Sequence, residues 1–212
     1  MSKIISTLID YRKYRSILCL NGTLPDADFF QCDLPIIAAD GAANTLMKMG
    51  VKPNRVVGDL DAIDSSLLNQ LETLYLYDQN FCDYEKALGY LESKELLPCI
   101  IVGMNGGFLD HILNNINIFM KSNNVFYAPP LYGFTLHEGE HKSFDVPLDT
   151  KISIMGMPTA EVTTKGLQWD LSHSQLSFPG TNSCFNRTVE EIVQISVQGG
   201  RILILIYGLN IA

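Results

Sequence analysis

The sequence predicts an N-terminal α/β domain on a doubly wound, mostly parallel sheet, followed by an all-β domain of the antiparallel sandwich type. Three observations lead there. Short apolar runs alternate with helical stretches as far as about residue 128. Those runs are continuously apolar, as strands buried on both faces require. Beyond Ala128-Pro129-Pro130, short segments follow one another without a convincing helix, separated by turns containing Gly, Pro and Asn. The expected domains are residues 1–129 and 130–212.

In order, the predicted strands of the first domain are Ser16–Leu20, Pro35–Ala39, Arg55–Val57, Thr73–Leu76, Cys99–Val102 and Val125–Tyr127. Between them lie amphipathic candidates at Ala42–Met49, Ser65–Leu71, Tyr84–Leu91 and Leu109–Met120. Alternation of this kind implies right-handed crossovers and parallel pairing. In the second domain, Leu131–His137, Lys151–Met155, Glu161–Thr164 and Gln175–Phe178 read as strands. Ile192–Gln198 and Ile202–Tyr207, joined at Gly199-Gly200, read as a hairpin with a two-residue loop. No internal repeat is present.

Composition narrows the function. Fifteen Lys and Arg against 23 Asp and Glu leave a net charge of −8, which argues against a nucleic-acid surface. The most apolar run, Ile202–Tyr207, is far too short to span a bilayer. The stretch MSKIISTLIDYRKYR is broken by Ser6, Thr7 and Asp10 and lacks the features of a signal peptide. Five widely spaced cysteines without a CxxC pair fit a reducing, cytoplasmic compartment.

Ligands of an open parallel sheet bind beyond the carboxyl ends of its strands. Aspartates fall there repeatedly: Asp40, Asp59, Asp61, Asp78, Asp83 and, after Gly103-Met104-Asn105-Gly106-Gly107, Asp110. Crowded carboxylates resist joint ionisation unless a cation compensates them, and Mg²⁺ suits oxygen ligands and phosphates. Each aspartate is also a plausible helix cap. In Asp59-x-Asp61, however, only one residue can be the cap. The Gly103–Gly107 segment reads either as a phosphate-binding nest of N–H groups or as a flexible turn. No GxxxxGK[ST], early GxGxxG or GxSxG motif occurs. His137 and His141 do not align as metal ligands on a strand; His111 and His173 read as structural or solvent-facing.

Taken in order, several strings resemble the thiamine pyrophosphokinase family. ADGAAN (Ala39–Asn44) is similar to its ADGGAN-type segment, and GDLDAI (Gly58–Ile63) to GDFDSI. DQNFCDYEKAL (Asp78–Leu88) resembles DQxxTDFEKAL, and GGFLDHILNNI (Gly106–Ile116) resembles GGRxDHxLxNI. VTTKGLQWDL (Val162–Leu171) is similar to TGLKWxL, with Ser183 and Asn186 where a Ser-x-x-Asn segment is expected. The resemblance implies Mg²⁺-dependent pyrophosphoryl transfer from ATP to thiamine by a homodimer with its site near the subunit interface. It implies Asp59, Asp61 and Asp83 as metal ligands. Asp83 or Asp110 would accept the hydroxyl proton, and Lys86 would reach phosphate oxygens. Asp40, Asn44, Gln79, Gly106 and Gly107 would contact substrate, with Trp169, Ser183 and Asn186 for thiamine.

Three departures stand out. Phe108 replaces the family's Arg in GGRxDH, Cys82 replaces the Thr before the metal-binding Asp, and Cys184-Phe185 with Arg187 interrupt the Ser-rich segment. Lys165 or Arg187 could compensate for the missing Arg. A metal-dependent nucleotide hydrolase and a catalytically weak thiamine- or nucleotide-binding protein are the alternative functions.

Overall fold

Six parallel strands form the first unit of the computed structural model, which describes residues 10–208. The reading of the first nine residues lies outside the described ones. The strands are β1 (Ser16–Cys19), β2 (Ile36–Ala39), β3 (Arg55–Gly58), β4 (Thr73–Tyr75), β5 (Cys99–Val102) and β6 (Val125–Ala128). They pair in parallel in the order β4-β3-β2-β1-β5-β6. Every residue of β1, β2 and β5 is buried, as their uninterrupted apolar sequences require. The chain moves outward from β1 to β4 and then returns to β5 on the other side of β1. That reversal leaves a crevice at the carboxyl ends of β1 and β5, where ligands of such sheets bind.

Three helices cross over: α1 (Ala42–Lys48), α2 (Asp83–Ser93) and α3 (Leu109–Phe119). Helix α1 stops where Gly50 takes φ +76°, so that Val51 N–H reaches Leu46 O (2.9 Å) and Gly50 N–H reaches Met47 O (3.1 Å). These two bonds satisfy the last carbonyls, and the left-handed residue between them favours glycine. The helix expected at Ser65–Leu71 does not form. Residues 65–70 are successive turns, with Leu67 N–H on Asp64 O and Gln70 N–H on Leu67 O. Seven residues are too few to offset nucleation without a buried face, and among these only Leu71 is buried.

The chain divides into two compact units between Ala128 and Pro129. The second unit is antiparallel, with strands β7 (Leu131–His137), β8 (His141–Asp145), β9 (Lys151–Lys165), β10 (Ser174–Ser177), β11 (Ser183–Arg187) and β12 (Ile192–Tyr207). Strand β9 pairs with β11 near its start and β10 near its end, while β12 pairs with β8 and then β7. Residues 151–165 form one strand where two short ones were expected.

The expected hairpin at Gly199-Gly200 is also absent, because β12 runs straight through and both of its halves pair with β9. The register shifts at Val197/Gly199 and Gly200/Ile202. Buried positions accordingly change parity, from Val193, Ile195 and Val197 to Ile202, Ile204 and Ile206. A bulge uses the same left-handed glycine as a tight turn, here Gly200 at φ +74°. A Cβ at Gly200 would collide with the Thr159 carbonyl, so the close approach of β9 also requires glycine.

Candidate active site

The carboxyl ends of β1, β2, β3 and β5 surround a cavity of about 590 Å³ within the first unit. Asn21, Asp40, Asp61, Asp83, Gly103, Gly106, Gly107, Phe108 and His111 are among its lining residues. Asp40 follows β2, with its backbone at φ +39° and its side chain only 3% exposed. Its Oδ2 accepts a hydrogen bond from Ala62 N–H (3.1 Å), while Oδ1 is buried without a partner. Leu60, between Asp59 and Asp61, lies at φ +60°. A non-glycine residue held in the left-handed region costs about 1–3 kcal/mol and commonly marks a functional turn.

Asp59, Asp83 and Lys86 form a charged knot beside Asp40. Lys86 Nζ lies 3.1 Å from Asp83 Oδ1 and 3.3 Å from Asp59 Oδ2. The first contact follows from helix spacing, since residues three apart on α2 share a face. Burial works against the Lys86 charge, but the hydrogen bonds and charges of Asp83 and Asp59 outweigh it and hold the ammonium above the usual lysine range. Gln79 Nε2 donates to Asp59 Oδ2 (3.0 Å), and this bond, together with the hydrogen bond and charge of Lys86, holds the Asp59 carboxyl below its ordinary value against the effect of burial. Burial pushes the Asp40 carboxyl up to about 6; the Ala62 N–H opposes it, and the charges of Asp83, Asp61 and Asp59 add to it.

One carboxylate oxygen from each of Asp40, Asp59 and Asp83 lies within 4.8 Å of the others. Asp59 Oδ1, like Asp40 Oδ1, is buried and unpaired. Unpaired buried oxygens are costly, and hard oxygen donors gathered in this way fit a divalent cation such as Mg²⁺. Gly58 makes the convergence possible. A Cβ there would stand 2.8 Å from Asp40 Cβ and 3.1 Å from Asp83 Oδ1.

The other expected site residues are dispersed. Asp61 is exposed on the cavity wall, whereas Asp78 accepts from Asn80 N–H and Nδ2 in a local turn. Asp110 is exposed in the first turn of α3, accepts from His111 N–H, and is not among the lining residues. Asn44 uses both ends of its amide on the loop after β3, donating to Ala62 O and accepting from Asp64 N–H. Gly106 and Gly107, at φ +80° and +122°, line the cavity just before α3. Asn21 and Gly58 were not read from the sequence as site residues. The switch in strand order identifies Asn21; no local signal identifies Gly58.

In the second unit, Trp169, Ser183 and Asn186 form one cluster. Asn186 is buried, accepts from Trp169 N–H, and donates to Trp169 O (2.7 Å) and Ser183 Oγ (3.1 Å). Trp169, whose backbone Asn186 anchors, is 59% exposed and so is not a core residue. Arg187 is engaged by Asp149.

Two family models match the chain. One, described as the thiamin pyrophosphokinase catalytic domain, covers residues 27–127. The other, described as the thiamin pyrophosphokinase vitamin B1 binding domain, covers 142–202. Thiamine pyrophosphokinase 1 of Oryza sativa subsp. japonica is 26% identical, over 76% of this chain and 74% of its own. Thiamine pyrophosphokinase 2 of Arabidopsis thaliana is also 26% identical, over 75% and 73%. In fold, the chain is similar to yeast thiamin pyrophosphokinase (TM-score 0.79, 16% identity, 98% of this chain and 90% of that one). It is also similar to the enzyme from Bacillus subtilis (TM-score 0.75, 20% identity, 92% and 99%). Two domains of one family thus match the two units in order, and the chain belongs to the thiamin pyrophosphokinase family.

Proposed function

We propose that this chain transfers a pyrophosphoryl group from ATP to the hydroxyl of thiamine, giving thiamine diphosphate and AMP, with Mg²⁺ as cofactor. The observation that carries this reading is the convergence of Asp40, Asp59 and Asp83, the last two bridged by Lys86, beyond the carboxyl ends of the parallel strands. Asp40, Asp59 and Asp83 would hold the ion, with Asp61 on the adjoining wall. Bound there, Mg²⁺ supplies positive charge to the polyphosphate, the main demand of such transfers.

The chain's own groups do the rest. Backbone N–H groups of the Gly103–Gly107 segment face phosphate oxygens, and Lys86 holds Asp59 and Asp83 at fixed positions. The thiamine oxygen forms its bond to the β-phosphorus as the bond from that phosphorus to the α–β bridging oxygen breaks, and AMP leaves. Asp83, which lines the cavity, accepts the hydroxyl proton. Asp110 stays a favourable charge at the start of α3. Gln79 and Asn44 act as positioning residues, through Asp59 and the loop after β3. Trp169 offers its exposed indole to the flat pyrimidine and the cationic thiazolium of thiamine, with Ser183 beside it and Asn186 holding the loop.

A homodimer with its site near the subunit interface, working in the cytoplasm, completes the proposal. The five cysteines are free, as a reducing compartment favours. No helix among the described residues is long and apolar enough to cross a membrane. A coupled assay of AMP release with and without thiamine tests the activity. AMP release that depends on both thiamine and Mg²⁺ supports it. Release indifferent to thiamine favours a nucleotide hydrolase, and saturable thiamine binding without release favours a binding protein.

A further inference from the structure

The cavity also has an aromatic face that phosphate chemistry does not use. Phe108 lines it yet is 76% exposed, so its ring plays no part in the core. The ring packs edge-on against His111, with centroids 5.8 Å apart and planes at 71°. His111 and Ile112 line the cavity beside it. The backbone presenting the ring is tightly set: Gly106 lies at φ +80°, where a Cβ would collide with Thr23 Oγ1, and Thr23 N–H is bonded to Asn105 O (2.6 Å). Asp40, Asp61 and Asp83 line the same cavity. The lining therefore combines an anionic part, suited to a cation with phosphates, with an open aromatic face.

A nucleotide has two matching parts. We propose that the Phe108–His111 pair is a stacking platform for the purine base of the bound nucleotide, which deepens the reading of this cavity as an ATP site and rests on it. The flat rings of the vitamin are the weaker candidate, because the vitamin-binding family model covers residues 142–202, away from this face in sequence. Every base has a π-face, so stacking tolerates changes in base identity. GTP and ITP therefore bind within a few-fold of ATP.

The test uses binding of two unreactive probes, AMP and inorganic tripolyphosphate, to the full-length protein in MgCl₂. Phe108→Leu keeps an apolar side chain but removes the π-face, and Phe108→Trp restores it. Phe108→Leu is expected to weaken AMP about tenfold or more, the size of a lost base-stacking contact, and to leave tripolyphosphate unchanged. Phe108→Trp retains AMP affinity. Unchanged AMP affinity in the Leu variant, a parallel loss of tripolyphosphate, or failure of Trp to retain AMP would each overturn the proposal. Neither probe requires turnover, so the result stands apart from the thiamine-dependent AMP assay, whose failure would overturn the pyrophosphoryl-transfer reading instead.

Discussion

Replacing Asp40 with Asn should make the metal-free protein more stable while abolishing its activity. The buried Asp40 carboxyl is pushed up to about 6, from an ordinary 3.8. A displacement of about two pH units corresponds to about 3 kcal/mol. The folded state binds this proton more tightly than the unfolded chain does. Its contribution is therefore fully present below pH ~4 and is lost as pH rises through ~6. Above that, the folded protein carries a buried negative charge beside Asp59 and Asp83. Asn carries no charge at any pH, and its Oδ1 can still accept the Ala62 N–H that Asp40 now holds at 3.1 Å. Urea unfolding in EDTA should thus show Asp40→Asn close to the parent near pH 4 and up to about 3 kcal/mol more stable at pH 8. Excess MgCl₂ should stabilise the parent by linkage and the variant far less. AMP release should be lost. If Asp40→Asn is less stable than the parent at pH 8 in EDTA, or if Mg²⁺ stabilises both equally, the assignment of Asp40 as a strained, metal-ready carboxylate is wrong.

Lys86→Met should destabilise the metal-free protein by about 3–5 kcal/mol, because the Lys86 side chain is only 5% exposed and its loss leaves two carboxylates uncompensated. Adding Mg²⁺ should recover part of that in the urea midpoint, and identical midpoints with EDTA and Mg²⁺ would count against a shared cluster. Gly58→Ala should lower kcat on the order of 10²-fold with only a small change in thermal midpoint, since the new Cβ would displace Asp40 or Asp83. Near-parental kcat would mean that the carboxylates tolerate that movement. Thiamine should quench the exposed Trp169 saturably, and Trp169→Ala should weaken thiamine binding far more than ATP binding. Saturation of the enzyme by thiamine with unchanged emission would remove Trp169 from the vitamin site.

The parallel sheet is legible in residue order because a strand covered on both faces must be apolar throughout, and β1, β2 and β5 are. The acidic positions are legible too, since strand ends and the Asp59-x-Asp61 spacing are local features. Which carboxylates meet is not local. Asp40 enters the cluster because β2 and β3 are hydrogen-bonded neighbours and Gly58 lets their ends approach; Asp110 follows a strand of the same sheet and remains outside the lining. Likewise, Gly199-Gly200 suits a turn and a bulge equally, because both exploit positive φ. The pairing of both halves of β12 with β9 decides in favour of the bulge. Periodicity and backbone preference act over a few neighbours along the chain, whereas strand order and close approach depend on residues brought together from far apart in it.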